Sequence, residues 1–320
     1  MKNVLILSAG RRVELAQAFK AEIKFRNLSS ELFATDLNPE LSPACQVVDL
    51  AIKSPNVSSP EYIKFLLDIC IQKKIGLIIP TIDTELLLLS EYRDKFEDFG
   101  VYIAISKNSF IVRTRDKRLT SLLFDELKIN TPEIYDRRDI KFPCFAKPYD
   151  GSCSVGAVAL LNHNMLTDKI LSDEKMMFME LIDRSYVEYT VDAYFDRNSN
   201  LACLVPRERI EVRSGEVSKG VTRFNSVYRY LVSKLSGLKD VRGCITLQLF
   251  FNAKEDHFSA FEINPRFGGG FPLSYSAGAN YPGWLIDEYL LGKKIDFFDN
   301  WERNLLMLRF DAKVLVHDFD

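Results

Sequence analysis

The 320-residue chain is poor in the residues that build the commonest metal and covalent centres. With three histidines, a multi-histidine metal site is not expected. The six cysteines, at 45, 70, 144, 153, 203 and 244, stand far apart. They have neither the paired spacing of a zinc module nor the density of a disulfide scaffold, as in a reduced cytosolic protein. No stretch approaches the ~20 apolar residues of a membrane span, and the run after Met1-Lys2-Asn3 is too short for a signal peptide. An excess of one charge is also missing: 42 basic and 44 acidic side chains leave a net charge of −2, with both signs interspersed. Nucleic acid or an anionic membrane would call for a concentrated basic surface, so neither is an expected partner. What is there is ordinary globular composition, 47% apolar and 27% charged, which argues against disorder. A mass of 36.7 kDa is enough for about two to three domains. A soluble, cytoplasmic protein is expected.

For the first hundred residues, apolar strands alternate with amphipathic segments. Val4-Leu5-Ile6-Leu7 reads as a buried strand and Ser8-Ala9-Gly10 as a turn. Residues 12–25 read as a helix with Val13, Leu15, Ala16, Ala18, Phe19 and Ile23 on its apolar stripe. Further strands are expected at 32–35, 76–80 and 101–105, with helices at 62–71 and 83–96. Such alternation with short connections implies a doubly wound parallel sheet. The turn Ser8-Ala9-Gly10-Arg11-Arg12-Val13 lacks the three-glycine spacing of a dinucleotide site. Although Asp36 stands where a ribose-binding acid would, a structural turn at the sheet end is the better reading. From residue 142 the pattern shortens, with strands at 142–147, 157–161, 176–180, 189–195, 202–212, 244–251 and 258–263. These indicate antiparallel hairpins, with helices near 226–235 and 281–291 and a last strand over 305–316.

Three segments carry chemistry. In Phe261-Glu262-Ile263-Asn264-Pro265-Arg266, Glu262 and Asn264 are two apart and project from one face of a strand. If the strand holding Gln248 pairs with it through the turn 252–256, three oxygens converge. One carboxylate and two amides suit Mg²⁺ (or Mn²⁺) that keeps water and nucleotide phosphates as its other ligands. Arg266 then adds a fixed cation for a migrating phosphoryl group. The second segment, Lys147-Pro148-Tyr149-Asp150-Gly151-Ser152-Cys153-Ser154-Val155-Gly156, joins two strands. It reads as a flap whose backbone N–H groups, at Gly151, Ser152 and Gly156 among others, can close over a triphosphate, with Lys147 reaching its oxygens. Cys153 reads as a small flap residue rather than a catalytic thiol. The third, Met179-Glu180-Leu181-Ile182 followed by Glu188, pairs an apolar strand end that can read an adenine edge with an acid that can hold ribose hydroxyls.

The order of these pieces, with Asp116-Lys117 upstream, resembles the ATP-grasp superfamily. It is most similar to the branch of carbamoyl-phosphate-synthetase-like and pyrrolysine-biosynthesis-type carboxylate–amine ligases. The likeness covers nearly the whole chain, and the Phe-Glu-Ile-Asn-Pro-Arg-Phe-Gly-Gly-Gly run with its upstream glutamine is the most specific part. It implies a Rossmann-like pre-ATP-grasp domain at 1–107, a small ATP-grasp subdomain with the flap at 108–183, and a large subdomain with metal and substrate sites at 184–320. It implies ATP contacted by Lys117 and Lys147, with adenine held by Glu180 and the Ile182 backbone and ribose by Glu188. Two magnesium ions follow, one on Gln248 and Glu262 and one on Glu262 and Asn264, with Arg266 on the γ-phosphate. The implied reaction phosphorylates a carboxylate to an acyl phosphate, which an amine attacks to give an amide, releasing ADP and phosphate. Phe267-Gly268-Gly269-Gly270 departs from carbamoyl phosphate synthetases, which carry an arginine here. That argues against bicarbonate phosphorylation and leaves room for a larger substrate, with an amino acid expected.

The acceptor side is less defined. Arg207, Arg209, Glu211 and Arg213 alternate and would share one strand face, either gripping an anionic substrate or cross-pairing in solvent. Lys219, in the segment 215–222, reads as a mobile loop residue able to close on substrate or phosphate. The segment 266–282 reads as a long loop lining the same cavity. A non-catalytic ATP-binding regulator is the competing reading, against which the intact metal-ligand set argues. A homodimer is the default assembly for such an enzyme.

Overall fold

A computed structural model of the chain describes residues 2–151, 155–213, 215–317 and 319. The N-terminal unit runs β1 (Asn3–Ile6), α1 (Val13–Phe25), β2 (Leu32–Asp36), β3 (Leu50–Lys53), α2 (Tyr62–Gln72), β4 (Ile75–Ile79), α3 (Asp83–Asp98) and β5 (Tyr102–Ile103). Its five strands are parallel, in the order β3-β2-β1-β4-β5. The central strand is apolar on both faces because both are covered: Val4 and Ile6 enter one core, Leu5 and Leu7 another. The chain leaves β1 for β2 on one side and later returns to β4 on the other, opening a crevice at the carboxyl ends of β1 and β4. Glu85 closes the floor of that crevice. Fully buried, it accepts hydrogen bonds from the backbone of Thr81 (2.7 Å) and Ile82 (3.2 Å) and faces the Ser8 (2.9 Å) and Tyr62 (3.3 Å) hydroxyls. Burial raises its pKa, against the pull of those donors.

Two helices follow, α4 (Asn108–Arg115) and α5 (Lys117–Glu126), the second capped by the Asp116 carboxylate on the Arg118 amide. The small antiparallel sheet comprises β6 (Ile134–Tyr135), β7 (Cys144–Pro148), β8 (Val158–Leu160) and, after α6 (Asp168–Ser172), β9 (Met176–Glu180), ordered β6-β9-β7-β8. The large sheet takes β10 (Val187–Phe195), β11 (Leu201–Arg213), β12 (Glu216–Thr222), then α7 (Ser226–Leu235), β13 (Gly243–Asn252), β14 (His257–Asn264), α8 (Phe271–Ser276), α9 (Tyr281–Tyr289) and β15 (Leu306–Leu308). Its order is β14-β13-β10-β11-β12-β15. Alternation along β10 buries Tyr189, Val191 and Ala193 in the core shared with Leu231 of α7 and Leu285 of α9. The opposite face carries Glu188, Thr190 and Asp192.

The parallel unit is bolted to the large sheet. Glu22 of α1 accepts from Tyr275 (2.8 Å), Asn280 (2.8 Å) and Arg26, and Arg26 also reaches Asp287 of α9 at 2.6 Å. The expected fold class, a parallel α/β unit followed by antiparallel α+β units, is the one observed. Three local expectations are corrected. Residues 215–222 are not a loop, because 216–222 pair as β12 with β11 and β15. The stretch 266–282 contains α8 and the start of α9, and in the C-terminal stretch only 306–308 pair as a strand. The five described cysteines are buried and unpaired; Cys153 lies outside the described residues. No described helix is long and apolar enough to cross a membrane.

Candidate active site

A cavity of about 480 Å³ lies between the small sheet and the open face of the large one, with Arg12 and Asp83 of the N-terminal unit at one end. Its floor is a patch of directly opposed residues on four strands. Thr246 faces Asn264 and Gln248 faces Glu262 across β13 and β14; Thr190 of β10 lies beside Gln248 on one side and Arg207 of β11 on the other. All line the cavity. A bulge one residue past Gln248 shifts the register, so Leu249 opposes Ala260 and Phe261 turns into the cavity beside Phe250, the two rings stacked at 4.8 Å.

Gln248, Glu262 and Asn264 are thus brought together on the cavity face. The end of the Gln248 amide nearer Glu262 is 2.5 Å from Oε2, and its other end is 2.6 Å from an Arg209 nitrogen. The hydrogen bonds are satisfied when the amide nitrogen donates to the carboxylate and the oxygen accepts from Arg209. Two oxygens at that separation would repel unless a cation bridged them. Turning the amide over creates such a pair, a fit for a divalent ion that takes oxygen ligands. The donor set has a single carboxylate, and no group of three His, Cys, Asp or Glu side chains among the described residues could hold a metal by itself. An ion here would need oxygen ligands from elsewhere, as nucleotide phosphates supply.

Two lysines enter from the side of the small sheet. Lys117, the first residue of α5, lies 3.1 Å from Glu262 Oε1 and donates to the Gly151 carbonyl at 2.5 Å. Lys147 leaves β7 with its ammonium 5.2 Å from the Phe261 ring centroid. Burial pulls its pKa down to about 8, aided by the charge of Lys117 and opposed by Glu262. An ammonium so desolvated gains most from a polyanion. Glu188 sits opposite, 3.1 Å from Arg209, its pKa raised by burial and by Glu262 and restrained by Arg209.

The remaining expected residues fall in several places. Gly151, Glu180 and Ile182 line the cavity; Gly156, with φ of +75°, lies against Pro148 and does not. Ser152 lies outside the described residues. Arg266 lines the cavity with its Nε and Nη2 on the two oxygens of Asp83. Arg207 and Arg209 do face the cavity, but a register shift between Arg209 and Glu211 ends the alternation. Past it Val212 lines the cavity, while Glu211 pairs with Lys219 at 2.6 Å and Arg213 pairs with Asp311. The expectation of four charges on one face is therefore wrong beyond Arg209. Lys219, half-exposed, ion-paired and absent from the cavity lining, is not positioned as a catalytic group.

Arg207 is also less available than its position implied. It is buried in a two-point pair with Asp192 (2.8 and 3.0 Å), onto which Ser274 (2.6 Å) and Thr246 (3.2 Å) also converge. Its Nη1 alone has no partner among the described residues, and it presses on Gly270, where a Cβ would come within 2.2 Å. Sequence reasoning missed Asp192, Asp83 and Arg12. An acid between the apolar residues of Val191-Asp192-Ala193 was a usable signal for the first; the other two arrive from a separate unit, and no local pattern marks them.

Residues 4–104 match the family model described as PylC-like, N-terminal domain, and residues 172–306 match the one described as ATP-grasp in the biosynthetic pathway with Ter operon. Comparison with the curated proteins gives no match. Among solved structures, the biotin carboxylase domain of the Hydrogenobacter thermophilus 2-oxoglutarate carboxylase, solved with MgADP, ADP and bicarbonate, superposes with a TM-score of 0.74 at 13% identity, over 96% of this chain and 73% of that one. The N5-carboxyaminoimidazole synthetase of Staphylococcus aureus, complexed with ADP, gives 0.71 at 14% identity, over 93% and 80%. The L-amino acid ligase of Bacillus licheniformis gives 0.68 at 14% identity, over 91% and 74%. At these identities the likeness is one of fold.

Proposed function

Starting from an ATP-grasp protein with a PylC-like N-terminal domain, we propose that the chain is an ATP-dependent carboxylate–amine ligase. It activates a small-molecule carboxylate as an acyl phosphate, an amine displaces the phosphate to form an amide, and ADP and phosphate leave. The observation that carries this reading is the convergence of Gln248, Glu262 and Asn264 beneath Lys117 and Lys147 in one cavity. A protein that only bound nucleotide would not need a bridging carboxylate flanked by two amide ligands.

In this reading Lys117 and Lys147 hold the phosphates, and the flap from Tyr149 to Gly156 covers them. Glu180 and the Ile182 backbone hold the adenine, and Glu188 holds the ribose, freed in part from Arg209. Gln248 and Glu262 would ligate one divalent ion, and Glu262 and Asn264 a second. Bound there, Mg²⁺ would neutralise the phosphate oxygens during transfer. The protein supplies position and charge: Arg266, fixed by Asp83, meets the transferring phosphoryl group, and no covalent nucleophile is needed. The residue divisions at 107/108 and 183/184 belong to the same proposal.

ADP release, followed with Mg²⁺ and pooled amino acids, tests it. Turnover that needs Mg²⁺ and disappears in Glu262→Gln is the expected result. Nucleotide binding with no turnover under any amine and carboxylate supplied would favour a regulator instead.

A further inference from the structure

A second cleft of about 170 Å³ opens off the main cavity at the carboxyl ends of β1 and β4. Its walls are the turn Ser8–Arg12, Thr81 and Ile82 on one side, and Phe267, Gly268 and Gly269 on the other. Arg12, Glu216, Gly268 and Gly269 line both spaces, so the two adjoin. At roughly 30 Å³ per liquid water the volume is that of about six waters, enough for the head of an amino acid but not for a nucleotide.

The charges at the junction are unevenly satisfied. Arg266 holds Asp83 at two points. Arg309 donates to Glu216 at 3.1 Å and lies 3.7 Å from Glu14. Arg12 has five N–H donors and, among the described residues, one hydrogen bond, from Nη2 to the Thr81 carbonyl at the long distance of 3.5 Å. Its charge is unwelcome where it stands: burial, then Arg266, pull its pKa down to about 10, only partly offset by Glu216 and Asp83. The opposite wall is kept open by its own composition. A Cβ on Gly269 would come within 2.8 Å of the Glu216 carboxylate, and one on Gly268 within 3.0 Å of Thr246. The amides of Gly268, Gly269 and Gly270 donate to no acceptor among the described residues. A half-buried, under-partnered guanidinium facing bare backbone donors is a receptor for a carboxylate.

We propose that this cleft binds a free amino acid through the carboxylate that does not react, with Arg12 as its anchor, and that the reacting end of the same molecule extends into the main cavity. The inference rests on the ligase reading and deepens it by naming the substrate class and the residue from the N-terminal unit that selects it. Arg12 is a specificity residue here: it takes no part in phosphoryl transfer, and nucleotide is held elsewhere.

The test is equilibrium binding of each common amino acid, and of its α-carboxamide, to the full chain with Mg²⁺ and a non-hydrolysable ATP analogue. Nucleotide affinity is measured separately. The expected result is at least one amino acid whose amide binds tenfold or more weakly. In Arg12→Gln that amino acid should lose at least tenfold and its preference over the amide should vanish, while Arg12→Lys keeps part of the preference. Analogue affinity within twofold of wild type in both variants shows the fold intact. Equal binding of acid and amide to wild type, a preference that survives in Arg12→Gln, or no amino acid bound beside a bound nucleotide would overturn the cleft assignment and leave the nucleotide site standing. Failure of wild type to bind the nucleotide would overturn the ligase reading, and this inference with it.

Discussion

Arg266, just past the end of β14, is clasped by Asp83, the first residue of α3, through two hydrogen bonds of 2.8 and 2.6 Å. The two residues belong to different units, and both side chains are about 15% exposed (14% and 15%). Its Nη1 also donates to the Phe267 carbonyl at 3.0 Å, so the guanidinium is held in one orientation, as the proposed role in phosphoryl transfer requires.

Asp83→Asn should therefore lower the rate of ADP release at least tenfold and leave the KM for ATP within threefold. It should also destabilise the protein by about 2 kcal/mol in urea denaturation, because removing one partner leaves a poorly solvated charge. In a double-mutant cycle with Arg266→Gln the effects should be far from additive. Additive losses would show that the pair does not act as a unit.

Glu262→Ala should abolish turnover, whereas Gln248→Ala should reduce it, because one carboxylate serves both proposed ions and the glutamine serves one. Single-turnover measurements across a magnesium titration separate the two. Partial rescue of Gln248→Ala at high Mg²⁺, and none of Glu262→Ala, is the expected pattern; equal and mild losses would contradict a shared ligand.

Lys147→Ala should weaken ATP binding by about 2–3 kcal/mol, the scale of a charge-assisted phosphate contact. The wild-type pH profile provides a second readout. ATP favours the ammonium, so Lys147 in the complex titrates above its free-protein value of about 8. Affinity should be level below that pH and fall by up to tenfold per unit above it. The fall should be absent in Lys147→Ala, and a sloping variant profile would assign the titration to another group.

Glu85 offers a stability test away from the cavity. Its folded pKa is raised, so the native state binds the proton more tightly than the unfolded chain does. Its contribution is then greatest below the unfolded value of about 4.3 and is lost as pH rises through the folded one. Glu85→Gln keeps an oxygen for the Thr81 and Ile82 amides and turns its nitrogen to the Ser8 and Tyr62 hydroxyls. Relative to wild type it should gain stability as pH rises from 4.5 to 8, read from urea midpoints; a difference independent of pH would show that Glu85 titrates normally in the folded protein.

How far the sequence was legible depends on range. The parallel unit was readable because Val4–Leu7 and Ile75–Ile79 are apolar throughout and the intervening helices carry clear stripes. The spacing of Glu262 and Asn264 fixed their common face, and the hairpin turn at 252–256 fixed their partner. Bulges were invisible: one carried Phe261 into the cavity, another turned Glu211 and Lys219 out of it. Helices α4 and α5 went unread because each is short: α4 groups Phe110, Ile111 and Val112 in one run, and the stripe of α5, Leu119 with Leu122 and Leu123, spans little more than one turn. Contacts between units, such as Asp83 with Arg266, leave no trace in local pattern.

The glycine triplet has a consequence for how such a protein could diversify. Positions 268, 269 and 270 each abut a polar side chain that a methyl group would crowd, most tightly at Gly270 between Arg207 and Val217, so that rim has little room to change. Across from it Ser8 and Gly10 are pinned as well, both at positive φ and bonded to Glu85 and Asp36, which leaves Arg11 and Arg12 as the part of that turn able to change. Under the proposed function, new substrates would be acquired by changing the Arg11–Arg12 end of the first loop, with the residues proposed for phosphoryl transfer left as they are.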